Sequence, residues 1–178
     1  MNDNLPLLYL SFLLVLLASA SVFILRQVFK TRGSEKKLSQ LQKKLQKEKG
    51  TAFDYYELGS IYLDKKLFAQ AIKVFDRALK AEKEVAPENQ ALIYNALGYA
   101  YFAKEQYDLA IRQYKEALKL YPEYVIALNN LANVYERKQL TAQALETYEE
   151  ALKYEPENSV AKRRAESLRK RLVTSQSK

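Results

Sequence analysis

Apolar and polar positions follow two regimes along this chain. From Leu5 to Leu25 it reads LPLLYLSFLLVLLASASVFIL, 21 residues without a charge. From Ala52 onward, apolar and small residues recur at helical spacing, and that spacing itself repeats. Residues 91–124 read ALIYNALGYAYFAKEQYDLAIRQYKEALKLYPEY, and 125–158 read VIALNNLANVYERKQLTAQALETYEEALKYEPEN, a period of 34 residues. Leu97 aligns with Leu131, Gly98 with Ala132, Tyr101 with Tyr135, Ala110 with Ala144, Tyr114 with Tyr148, Ala117 with Ala151, and Pro122 with Pro156. Leu97, Gly98 and Tyr101 share one face of a first helix; Ala110, Tyr114 and Ala117 share one face of a second. Small residues let the two axes approach, and the tyrosines fill the space beside them. Pro122 and Pro156 end the second helix, since proline offers no N–H.

A third copy spans 52–85, with Tyr55, Leu58, Gly59, Tyr62, Ala71, Phe75 and Ala78 at matching offsets. The next copy starts 39 residues on, so five extra residues fall near Glu84–Glu88, expected as a longer second helix or a longer turn. A 34-residue period of helix pairs is the signature of a tetratricopeptide (TPR) array, and three units meet the usual minimum for a stable stack. A last helix from Ser159 to about Val173 follows, its apolar stripe expected at Val160, Ala165, Leu168 and Leu172, with Arg and Lys elsewhere. That composition suits a solvating cap. The fold class expected is all-α: a single N-terminal transmembrane helix, then a TPR α-solenoid of three helix-turn-helix repeats and a C-terminal capping helix.

As a helix the apolar run spans ~31 Å, the thickness of a bilayer's hydrocarbon core. Only Asp3 precedes it, whereas Arg26, Lys30, Arg32, Lys36 and Lys37 follow. The positive-inside rule therefore sets the repeats on the cytoplasmic or equivalent side. Ala18-Ser19-Ala20 resembles a signal-peptidase site, but the charge order is reversed for export. The chain divides into an anchor (1–29), a basic linker or amphipathic helix (30–50), the repeats (51–158) and a basic capping helix and tail (159–178). Gly33 and Ser34 are expected to break the anchor helix or cap the next one. Leu38, Leu41 and Leu45 form a narrow seam on the linker, which could pack on the repeats, pair with a second copy or lie on lipid.

Charge changes this picture in one respect. Residues 26–49 hold nine basic and two acidic side chains, and 159–178 hold seven and one, while 50–158 hold thirteen basic and seventeen acidic. The net charge of +8 thus conceals an acidic array between two basic ends. Nucleic acid is not the expected partner of the repeats; membrane proximity suits the linker. The chain has no His and no Cys, which removes the usual zinc sites, His or Cys catalytic pairs, and disulfides. Its four glycines are scattered, so no phosphate loop can be assembled. No catalytic residue, metal ligand or cofactor is expected, and the chain reads as a non-enzyme.

In a TPR array the first helix of each pair lines the groove, through the second, fifth, ninth, twelfth and thirteenth positions. These are Phe53, Tyr56, Ser60, Leu63 and Asp64; then Leu92, Asn95, Tyr99, Phe102 and Ala103; then Ile126, Asn129, Asn133, Glu136 and Arg137, with Arg163 able to close one end. Tyr56, Asn95, Tyr99, Phe102, Asn129, Asn133 and Arg137 are the candidate partner-binding residues. A side-chain amide both donates and accepts, so it pairs with an extended backbone of any sequence. Aromatic rings add flat apolar area at low entropic cost. Tyr56, Ser60 and Ile126 stand where the basic carboxylate clamp of chaperone-docking TPR domains wants Lys, Asn and Lys, so no such clamp is expected.

The layout as a whole, with Leu5-Pro6, Tyr9–Ser11 and the junction from Arg26 to Arg32, resembles the photosystem I assembly-linked TPR proteins of cyanobacteria and algal plastids. The resemblance implies a thylakoid protein held by one helix, its array on the stromal or cytosolic side, binding photosystem I subunits or other assembly proteins and touching lipid through Leu5 to Leu25. Two rival readings keep the same fold: a bacterial envelope scaffold for another membrane complex, and a lipid- or RNA-tethering module working through the basic ends.

Overall fold

The computed structural model describes residues 5–81 and 85–176, with side chains at 7–26, 32–81 and 85–173. Asp3, Glu84, the side chains of the 27–31 junction and the last residues of the tail lie outside the described residues. The chain divides into two units, Met1–Lys47 and Glu48–Lys178.

The first unit holds one helix, α1 (Leu5–Lys47), of 43 residues. It runs unbroken through Gly33 and Ser34, against the expected interruption there. One glycine costs a helix interior only ~1 kcal/mol, and the Lys, Glu, Gln and Leu around it are strong helix formers. The segment Leu7–Arg26 has a mean hydropathy of 2.5, and none of it is buried. Its hydroxyls turn inward: Ser11 donates to the Leu8 carbonyl (2.9 Å), Ser19 to Leu16 (2.8 Å) and Ser21 to Leu17 (2.8 Å). These three hydroxyls are thus satisfied by the helix's own backbone.

The second unit contains α2 (Ala52–Asp64), α3 (Phe68–Ala81), α4 (Pro87–Ala103), α5 (Tyr107–Leu120), α6 (Val125–Arg137), α7 (Thr141–Tyr154) and α8 (Ser159–Gln176). Helices α2–α3, α4–α5 and α6–α7 form hairpins, each helix packs on the next through to α8, and α2 also meets α4, as α4 meets α6. The first helices therefore line up side by side. A capping box starts α2: the Thr51 hydroxyl accepts from the Asp54 N–H (3.1 Å) and the Asp54 carboxylate from the Thr51 N–H (3.0 Å). Each first helix ends in a left-handed residue, Lys66 (φ 59°), Glu105 (φ 58°) or Gln139 (φ 61°). The residue after each donates back five places, Leu67 to Tyr62 (2.8 Å), Gln106 to Tyr101 (3.0 Å) and Leu140 to Tyr135 (2.9 Å), closing a Schellman turn.

The core is built by the repeating offsets. Ala71, Phe75, Ala78, Ile93, Ala96 and Leu97 form one cluster; Tyr114, Leu128, Leu131, Val134, Tyr148 and Leu168 lie within the next. Two expectations need correction. Pro87 to Gln90 add a turn to the start of α4, which has 17 residues against 13 in α2 and in α6, a place that the expectation of a longer second helix or a longer turn did not include. Proline at the first helical position loses no hydrogen bond and holds φ ready for the helix, and Gln90 secures the entry by donating to the Val85 carbonyl (3.0 Å). On α8 the buried stripe is Ala161, Ala165 and Leu168, while Val160 is 46% exposed. Ala161, four residues before Ala165, holds the register, and Val160 lies ~100° around the helix from it.

Candidate functional site

The side of the array formed by the first helices carries the predicted groove residues. Asn95 and Asn129, both at the fifth position, repeat one hydrogen bond. Asn95 Nδ2 donates to the Tyr124 hydroxyl (3.3 Å) and Asn129 Nδ2 to Asn158 Oδ1 (3.4 Å), each across 29 residues. Tyr124 is the residue that starts α6. Asn158 Oδ1 also accepts from the Ala161 N–H (3.0 Å), capping α8. Asn130 Nδ2 reaches back to Asn95 Oδ1 (3.0 Å). These amides latch the second hairpin to the start of the third, and the third to the start of α8. Asn129 retains one unspent group, since its Oδ1 is buried and has no hydrogen-bond partner among the described residues. The Tyr124 hydroxyl has its pKa raised by burial and by Tyr56, with the Asn95 bond acting the other way.

The other candidates divide into committed and free. Phe102 packs on the core beside Tyr107, ring centroids 5.8 Å apart. Tyr56 is half-buried and tilted against Phe75 at 6.0 Å. It also lines a cleft of about 170 Å³ with Ala52, Phe53, Val85, Asn89, Leu92 and Ile93. That is smaller than the ~300–1,000 Å³ of small-molecule sites and suits a side chain. Tyr99 is 46% exposed and borders a shallow cleft beside Ser60, Leu63 and Phe68. Asn133 is half-buried and Arg137 exposed, and neither is hydrogen-bonded among the described residues. Glu136, a groove position by offset, is spent: it accepts from the Tyr148 hydroxyl (2.9 Å) and pairs with Arg164 Nε (3.2 Å).

The second groove position, which contributes none of the seven candidate residues, is apolar throughout. There Phe53, Leu92, Ile126 and Val160, one on each first helix and one on the cap, are 67%, 37%, 59% and 46% exposed. Their common offset in the repeat was the available signal.

Comparison with known proteins agrees with this geometry. Tetratricopeptide repeat family models match residues 52–123 and 95–159. Protein ycf37 of Cyanophora paradoxa is 39% identical over 136 residues, covering 76% of this chain and 78% of that protein. The chain belongs to the ycf37 family of TPR proteins. The tetratricopeptide repeat domain-containing protein PYG7, chloroplastic, of Arabidopsis thaliana is 34% identical across 75% of this chain and 44% of its own length. Among solved structures, the first TPR of Spaghetti (RPAP3) bound to an HSP90 peptide superposes with a TM-score of 0.63 at 21% identity, covering 71% of this chain and 96% of that one. At that identity the likeness concerns the fold. Proteins of this repeat class act as interaction scaffolds, and the array here has that architecture.

Proposed function

We propose that this chain is a non-enzymatic, membrane-anchored scaffold that helps assemble or stabilise photosystem I at the thylakoid. The observation that carries the reading is an uncovered apolar helix, Leu7–Arg26, on the same chain as a TPR array. Exposing so much apolar surface to water is costly, and a bilayer removes the cost. The basic residues after that helix favour an array on the stromal or cytosolic side. The sequence likeness at the 26–32 junction supports the thylakoid and photosystem I, and a chloroplastic relative supports a plastid. In this mechanism the anchor raises the local concentration of a modest groove, so that a weak contact becomes useful and stays reversible.

The test has two parts. Full-length chain should remain in the membrane pellet after alkaline carbonate washing and dissolve only with detergent. Affinity capture from solubilised thylakoids should recover photosystem I subunits, and Tyr99→Ala with Asn133→Ala, both outside the core, should reduce that recovery. A chain recovered in the soluble fraction would remove the anchor from the account; unchanged recovery would remove the groove.

A further inference from the structure

Beyond its apolar segment, α1 carries an uncompensated line of charge. Arg32, Lys36, Lys43 and Lys47 are exposed, and none has a hydrogen bond or ion pair among the described residues. Lys37 and Lys44, on another side of the helix, are engaged. The four cations follow one another at four, seven and four residues. On a helix that keeps them within ~60° of one another, along ~22 Å of its length. Leu38, Leu41 and Leu45 lie on the opposite side, and Glu35 lies ~90° round. Like charges four residues apart repel, so Arg32 with Lys36 and Lys43 with Lys47 weaken the helix that carries them until an anion meets them.

We propose that this stripe docks an acidic helix of a neighbouring membrane protein, side by side with α1 and above the bilayer surface. The inference goes beyond the anchored reading and rests on it. Counted from Arg26, at the end of the apolar segment, α1 rises ~9 Å to Arg32 and ~32 Å to Lys47. Transmembrane helices tilt by up to ~40°, which still leaves Lys43 and Lys47 ~20 Å or more above that level. Salt screens charges beyond ~8 Å. The unbroken course of α1 through Gly33 thus holds most of the stripe off the lipid headgroups. A second copy in the same membrane is also the wrong occupant, because it brings the same cations to the same height. A helix bearing carboxylates fits. Eleven residues make three turns with only ~20° left over, so acidic side chains at the same spacing form a line of matching length. Each exposed ion pair contributes little, and this side of α1 has no apolar seam. The contact is therefore reversible and relies on both proteins being held in one bilayer.

The experiment uses full-length chain in neutral-lipid nanodiscs at low salt, with fluorescein-labelled helical peptides of alanine and glutamine read by polarisation. The first peptide carries four glutamates at the spacing of the stripe. The second carries the same four glutamates five residues apart, which scatters them round the helix. The first should bind roughly fivefold or more tightly than the second. Arg32→Gln, Lys36→Gln, Lys43→Gln and Lys47→Gln together should remove that difference while helix content is retained, glutamine being a good helix former. Lys73→Gln, Lys80→Gln, Lys153→Gln and Arg171→Gln, all exposed and off the stripe, should keep it. The chain has no native Cys, so a dye on Gln46→Cys reports height by energy transfer to acceptor lipids. It should stand ~23–30 Å above the level of Arg26, and doping the bilayer with about 30% phosphatidylglycerol should not lower it. Equal binding of the two peptides, loss of the difference in the off-stripe variant, a dye drawn down onto anionic lipid, or tighter stripe-dependent binding of an oligouridylate than of the first peptide overturns the proposal. Capture of photosystem I subunits that the four stripe glutamines leave unchanged, with no preference between peptides, overturns this inference and leaves the scaffold reading standing. A chain that prefers the first peptide yet is released by carbonate washing fails the anchored reading instead, and the proposal falls with it.

Discussion

A Cβ built on Gly98 would lie 2.6 Å from Cε1 of the Tyr114 ring, and one on Gly59 would lie 2.4 Å from Cε1 of Phe75. The glycine and the aromatic ring sixteen residues on are thus one packing unit, used twice. In the third hairpin Ala132 takes the glycine's place opposite Tyr148, whose hydroxyl is drawn to Glu136 (2.9 Å).

Gly98→Ala should destabilise the array by about 1–2 kcal/mol: overpacking costs ~1–3 kcal/mol, and better helix propensity returns up to ~1 kcal/mol. Gly33→Ala is the contrast, because nothing lies within 4 Å of the added carbon. That change should stabilise α1 through propensity alone. Denaturant titration of the full chain in detergent, followed by circular dichroism, measures both.

The left-handed turn residues offer a gain. Lys66, Glu105 and Gln139 hold φ near +60° with side chains that disfavour it. That conformation costs an L-residue ~1–2 kcal/mol, against ~0.5–1 kcal/mol of extra chain entropy lost by glycine. Gln139→Gly should therefore raise stability by about 0.5–1 kcal/mol and lift the melting temperature. A lower melting temperature would show that the Gln139 side chain contributes more than its backbone strain costs.

Alkaline pH should unfold the array through its tyrosines. Burial raises the pKa of Tyr114 above the usual 10.0, and burial together with Glu136 raises that of Tyr148. Below pH 10 these phenols are neutral in both states and stability does not depend on them. Above it the unfolded chain ionises first, so stability falls by ~1.4 kcal/mol per pH unit for each such group. Absorbance at 295 nm, recorded with circular dichroism, should show a late tyrosinate step coinciding with loss of helix. A full tyrosinate signal with helices intact would contradict it.

Asn158→Ala should cost about 1–2 kcal/mol, because it removes both the cap on the Ala161 N–H and the acceptor for Asn129. Hydrogen exchange should quicken first at the start of α8. Uniform exchange changes across the array would argue against a local latch.

The 34-residue period made the hairpins legible, because small and large residues had to recur wherever two axes met. Prolines and left-handed turns then bounded the helices. What the sequence hid was choice among physically equal options. An amide at Asn95 or Asn129 reads alike whether it faces a ligand or a neighbour, and only the fold shows that both reach a residue 29 positions on. Gly33 reads as a breaker until the helix formers around it are weighed together. Val160 and Ala161 are adjacent small apolar residues, and which one is buried depends on a rotation that only contact with α7 sets.

The latch at Asn129 also gives the array a direction. The second and third hairpins each close onto the residue that begins the next element, so the terminal helix works as an end-stop as well as a cover. A truncation before Ser159 would leave a fastener with its last tooth open, the buried side of α7 wetted and its neighbour unhooked. Such a chain would fray from one end inward, and the first surface lost would be the one where Arg137 stands.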